Sequence, residues 1–190
     1  MQATKLKIGY ISEQAYLESE KAAKERHEYV DGQIFLMAGA SRRHNDIAVN
    51  ITTTLRLAAR GTPCRVNASD VKVRIGKRKS YYYPDVVVSC AADDDADEYY
   101  LEKPCLIVEI LSKSTEWKDY NEKLLAYQAI ASLKAYLTVS QDRPYASLFY
   151  RDEENQWWVD TYIELTQSIK LPCPTTELTL AEIYESIVFA

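Results

Sequence analysis

Apolar and polar positions change period several times along this chain, and each change marks an element. Ser12 is placed to cap a helix running to about Glu25, with Ala15, Tyr16, Ala22 and Ala23 among its less polar positions. The run HEYVDGQIFLM (27–37) sets two apolar-containing strands around Asp31-Gly32, a dipeptide that favours a two-residue hairpin turn. Ile47, Ile51, Leu55, Ala58 and Ala59 recur at helical spacing, which predicts a second helix from about Arg43 to Arg60 with Gly61 as its stop. From Asp70 to Ile75 the pattern alternates, with Val71, Val73 and Ile75 on one face and Asp70, Lys72 and Arg74 on the other, as in a half-buried strand.

The loop GKRKS (76–80) then leads through Tyr81, Tyr82 and Tyr83 into the apolar run PDVVV (84–88). An acidic loop, DDDADE (93–98), separates it from a second apolar strand, CLIVEIL (105–111). A third helix is expected from about Asp119 to Ala131, where Asp119 followed by Glu122 resembles a capping box. Strands are expected at Ala135–Val139 and near 146–150 and 156–163, and Thr179 with Glu182 caps a closing helix. Helices and strands interleave with no repeat, low-complexity linker or composition break. One α/β domain over residues 1–190 is the expectation.

Glu109 breaks this pattern. It stands among Leu106, Ile107, Val108, Ile110 and Leu111, a run that reads as buried on both faces of a sheet. Carboxylates are rarely buried without a partner, so something specific must neutralise this one. Asp85 opens the other apolar strand. If the two strands are neighbours, their carboxylates converge, and like charges about 4 Å apart repel by roughly 4 kcal/mol at an effective dielectric of 20. Either one carboxyl takes a proton or a cation sits between them. Hard oxygen donors select Mg²⁺ or Mn²⁺ over zinc.

Lys123 adds a third element, because Asp119, Lys123 and Tyr127 are spaced by four and share a helix face. An acid pair, a lysine and a divalent ion together form a kit for phosphodiester hydrolysis. The ordinary readings are a Glu109 salt-bridged to a structural base, a turn aspartate after Pro84, and a solvated Lys123.

Composition narrows the classes. With 190 residues, 47% hydrophobic and 27% charged, the chain has the balance of a soluble globular protein. The N-terminus has no apolar core of a secretory signal, and no apolar run approaches the length of a membrane span, so a cytoplasmic protein is expected. The four cysteines, at 64, 90, 105 and 173, form no C-x-x-C pair. They are expected to be free small hydrophobes rather than a disulfide framework or a zinc site. A net charge of −5 argues against broad electrostatic binding to nucleic acid but leaves room for a local basic groove. The run Lys77, Arg78, Lys79 before three tyrosines is a candidate backbone grip, with an exposed hairpin loop as the plainer reading.

Taken in order, the segments HEYVDGQI (27–34), SRRH (41–44), YPDVVV (83–88), LIVEILS (106–112), DYNEK (119–123) and LTLAEIY (178–184) resemble the Uma2 family. That family is catalogued as DUF820 and read as restriction-endonuclease-like nucleases of the PD-(D/E)XK superfamily. The resemblance implies a mixed central β-sheet flanked by helices. It makes Asp85 and Glu109 metal-binding acids and Glu28 an auxiliary acid from the first hairpin, and it leaves His44 a substrate-side role. Leu111 stands where the superfamily places its lysine, so the basic role moves to Lys123, with Lys113 as competitor.

The function implied is an endonuclease cutting DNA through a metal-activated water. Cutting both strands needs two sites, so a homodimer is expected. Two rivals remain: a catalytically inactive module of the same fold that binds nucleic acid or protein, and a glycosidase using the two acids as acid and base.

Overall fold

The computed structural model describes residues 9–94, 97–112 and 116–189. Helix α1 (Glu13–Ala22) begins where Ser12 Oγ accepts a hydrogen bond from the Ala15 amide at 3.2 Å, and it stops short of Glu25. The hairpin β1 (His27–Val30) and β2 (Gln33–Leu36) turns through Asp31 and Gly32 at φ of 42° and 85°. Helix α2 (Arg42–Ala58) buries Ile47, Ile51 and Leu55 completely, the stripe its spacing predicts.

Strands β3 (Arg65–Ala68), β4 (Lys72–Ile75), β5 (Ser80–Tyr82), β6 (Val86–Ser89), β7 (Tyr100–Leu101) and β8 (Leu106–Leu111) follow. Helix α3 is built of three segments, Glu116–Lys118, a wide turn at Asp119–Lys123, and Leu124–Tyr127. Strands β9 (Ala135–Ser140), β10 (Ala146–Arg151), β11 (Trp157–Tyr162), β12 (Ser168–Pro172) and β13 (Thr175–Thr179) lead to the short α4 (Leu180–Ile183). Thr179 and Glu182 close both arms of a capping box at its start.

The central sheet has six strands in the order β11-β10-β9-β8-β6-β3. Its β8 and β9 run parallel and its other pairs antiparallel, so it is mixed. One face packs against α2, β12–β13 and α4 through Val86, Val88, Leu106, Val108 and Leu137. The other face meets α3 and a second, five-stranded sheet, β2-β1-β5-β4-β7, through Val87, Ile107, Tyr82, Tyr127 and Tyr136. Tyr16 stacked on Tyr29, with Tyr81 packed against both at an angle, seats α1 on that second sheet. None of the described helices is long and apolar enough to cross a membrane.

Two expectations are corrected. The third helix is already wound at residue 116, so Asp119 is not its cap; it is buried in the wide turn, and the helix ends at Tyr127 rather than Ala131. The cysteines are neither scattered nor free. Cys64 pairs with Cys90 and Cys105 with Cys173, because the strand ends that carry them meet in space.

Candidate active site

Strands β6 and β8 are antiparallel neighbours, with Val86 opposite Val108 and Val87 opposite Ile107. One further step of that register sets Asp85 opposite Glu109. Side chains alternate faces along a strand, so Glu109 shares the face of Ile107, the one turned toward α3, while Asp85, one residue before β6, turns its carboxylate toward α2 and His44.

Glu109 is buried, and its Oε1 accepts hydrogen bonds from Lys123 Nζ at 2.9 Å and Tyr127 Oη at 2.8 Å. The same ammonium lies 3.0 Å from Glu28 Oε1 and 3.3 Å from Asp119 Oδ1. Lys118 Nζ grips the other oxygen of Glu28. The helical spacing of Asp119, Lys123 and Tyr127 therefore brings Lys123 and Tyr127 onto Glu109 and Asp119 onto Lys123. On the other side, Asp85 Oδ2 accepts from the Ile110 amide at 2.6 Å and lies 3.3 Å from His44 Nε2. His44 sits in the first turn of α2, which Ser41 caps through the His44 amide.

Burial pushes the Glu109 carboxyl up, and like charges on Asp119 and Asp85 add to it. Lys123 only partly offsets this, so Glu109 ends well above the ordinary carboxylate range. For Glu28, burial also pushes up, but Lys123 and Lys118 outweigh it and hold the carboxyl low. Burial pulls Lys123 down, yet Glu109, Glu28 and Asp119 together raise it well above its usual value, so it is a fixed ammonium. Burial lowers His44, but its hydrogen bond to Asp85 and the charges of Asp85 and Asp119 together outweigh that and raise it. Among the described residues, the four carboxylates of Glu28, Asp85, Glu109 and Asp119 face two ammonium groups, Lys118 and Lys123, with His44 as the remaining base.

Residues 13–181 match the model of a family named Uma2 and described as "Putative restriction endonuclease". The chain belongs to the Uma2 family. Two Synechocystis proteins named only as uncharacterized, slr1290 and sll1609, are each 32% identical to it; the first match covers 94% of both chains, and the second 75% of this chain and 81% of the relative. A crystal structure from Anabaena variabilis, titled as a "putative nuclease belonging to DUF820", superposes with a TM-score of 0.76 at 15% identity, covering 94% of this chain and 99% of that one. At that identity the likeness is one of fold.

In this Uma2 chain the structure brings Asp85, Glu109, Lys123, Glu28 and His44 into one neighbourhood. Lys77, Arg78 and Lys79 lie instead on the exposed turn between β4 and β5, and none of their described contacts reaches the cluster. Lys113 lies outside the described residues. Asp119, Lys118 and the His44–Asp85 contact join the site beyond the residues expected from the sequence. Asp119 was legible through its spacing to Lys123. The other two join elements far apart in the chain, and no local pattern carries them.

The cation between Glu28, Glu109 and Asp119 is the Lys123 ammonium itself. Asp85 and Glu109 offer hard oxygen donors of the kind that Mg²⁺ or Mn²⁺ takes, but among the described residues the three ligand atoms close enough together to share one ion are those of Cys64, Cys90 and Cys173, not the carboxylates.

Proposed function

We propose that this chain is a metal-dependent endonuclease that hydrolyses phosphodiester bonds in DNA, with Asp85 and Glu109 holding Mg²⁺ or Mn²⁺. The observation that carries the reading is the β6–β8 register, whose continuation sets Asp85 opposite Glu109 beside a buried lysine. Family membership supports the hydrolase class. Bound there, a divalent ion supplies Lewis acidity and a water of lowered pKa.

The chain's own groups do the rest. Lys123, pinned by three carboxylates, is a preorganised positive charge for the negative charge that develops on the phosphoryl oxygens. Glu28 and Asp119 act through Lys123 as positioning residues. Tyr127, kept protonated by burial and by the Glu109 charge, holds one oxygen of Glu109 in place. His44 and the Ile110 amide fix the rotamer of Asp85. The exposed Lys77, Arg78 and Lys79 offer charge for a phosphate backbone.

A second reading, an inactive module of the same fold, draws on one feature: Lys123 is fully engaged in ion pairs, and Leu111 occupies the position two residues after Glu109. Supercoiled plasmid incubated with wild type, Asp85→Ala and Glu109→Ala in Mg²⁺, Mn²⁺ or chelator separates the two. The endonuclease gives metal-dependent nicking that both substitutions abolish while the far-ultraviolet circular dichroism is unchanged. Retention of plasmid with no nicking in any metal would establish the inactive module. Sedimentation of the same preparation tests the expected homodimer.

A further inference from the structure

All four cysteines of the chain meet at one point, although the shortest sequence gap between neighbours in the cluster is that between Cys90 and Cys105. Cys64 directly precedes β3, Cys90 directly follows β6, Cys105 directly precedes β8, and Cys173 lies in the turn between β12 and β13. Strand pairing explains the convergence. The β3–β6 register, with Arg65 opposite Ser89, carries on to set Cys64 opposite Cys90, and the Cys105 amide donates to the Val88 carbonyl at 2.8 Å. The β12–β13 hairpin then delivers Cys173 from the far end of the sequence onto the same sheet face.

The two disulfides are in contact with each other. Cys90 Sγ lies 3.2 Å from Cys173 Sγ and 3.5 Å from Cys105 Sγ. The sulfurs of Cys64, Cys90 and Cys173 all fall within 4.8 Å of one another. Zinc thiolate bonds of about 2.3 Å in a tetrahedron require sulfurs about 3.8 Å apart, close to the Cys90–Cys105 and Cys90–Cys173 spacings, with Cys105 standing just outside the tight group of three and needing a small shift to join it. Cys105 and Cys173 are buried, whereas Cys64 and Cys90 are half-buried, so the cluster is both sheltered and open to an entering ion.

We propose that, once both disulfides are reduced, Cys64, Cys90, Cys105 and Cys173 form a tetrahedral four-thiolate site for Zn²⁺. Soft sulfur donors in this geometry select zinc over the hard ions favoured by the carboxylates. The chemistry balances. Each disulfide takes two electrons from a phosphine or dithiol reductant and two protons, giving two thiols. The four thiols then release four protons as four Zn–S bonds form. The site is separate from the carboxylate cluster yet mechanically tied to it. β6 carries Asp85 before its first residue and Cys90 after its last, while β8 runs back from Cys105 to Glu109. Sulfur chemistry therefore clamps the same two strands at the ends opposite the acids, whatever those acids do.

Full-length protein, reduced with a phosphine and stripped of metal under argon, is titrated with Co²⁺. The expected result is the intense visible absorption of tetrahedral cobalt thiolate, saturating at one ion per chain and bleached by Zn²⁺. The disulfide-bonded protein should show none. Cys64→Ser and Cys173→Ser should each lose the spectrum. Because either variant could misfold, a second measurement uses wild type alone: a thiol-reactive chromophore should titrate four thiols in the reduced protein, and Zn²⁺ should protect them. Absence of the absorption from reduced protein, its persistence in both variants or in the oxidised form, or thiols equally reactive with and without Zn²⁺ would overturn the proposal.

Discussion

Lys123 holds the acidic cluster together, because one ammonium answers three carboxylates at 2.9–3.3 Å. Removing it leaves those charges buried and short of a partner, a change that costs about 3–5 kcal/mol at comparable sites. Lys123→Ala should therefore lower the unfolding free energy measured in urea by that order and, in the folded fraction, cut single-turnover cleavage by about 10²–10³-fold, as loss of a preorganised charge does. Unchanged cleavage would remove Lys123 from the chemistry without touching the acids.

The two buried glutamates behave oppositely with pH. Glu28 is held low in the fold, so its stabilising contribution is present above the ordinary carboxylate pKa and is lost as pH falls through the folded value. Glu109 is raised, so its contribution is present at low pH and is lost as pH rises through its folded value. Thermal melts should show Glu109→Gln more stable than wild type at neutral pH. Glu28→Gln should be less stable there, and should lack the part of the acid-limb loss that wild type owes to Glu28. Glu109 was legible in the sequence because a charge interrupts an apolar run. His44 was named only through the family resemblance, and its contact with Asp85 was not legible, since only folding brings α2 beside Asp85.

At the scale of elements, local signals hold where the contact that decides them is local. Ser12, Asp31-Gly32 and the Thr179–Glu182 box each satisfy backbone groups within a few residues, and each lies where the pattern places it. Asp119 failed because the same residue type serves as a cap or as an ion-pair partner, and the wide turn at Asp119–Lys123 commits it to the second use. The β12–β13 hairpin escaped notice because its turn, Cys173-Pro174, has none of the Asn-Gly or Asp-Gly chemistry that marks a hairpin. The capping box gives a clean local test. Thr179→Ala should destabilise the protein by about 1 kcal/mol in urea denaturation, and Thr179→Ser should restore most of it. No effect would mean that packing of Leu180 and Ile183 alone fixes α4.

At the scale of the molecule, the mixed sheet flanked by helices was legible, but the second sheet was not. Its pairings join β1 to β5 and β4 to β7, partners separated by long stretches of chain, and each strand alone looks like any short alternating segment. That second sheet supplies Glu28 from β1 and Tyr82 from β5 to the roof of the acidic cluster, whose floor is the central sheet. The site thus lies where two sheets and α3 meet. The proposed function adds a divalent cation to this network. Crystals grown with Mn²⁺ and measured at its absorption edge test this directly. The account predicts one anomalous peak shared by Asp85 and Glu109, at about 2.1 Å from an oxygen of each, as expected for a hard divalent ion. A map with no peak at that pair, and Lys123 alone neutralising the carboxylates, would contradict it.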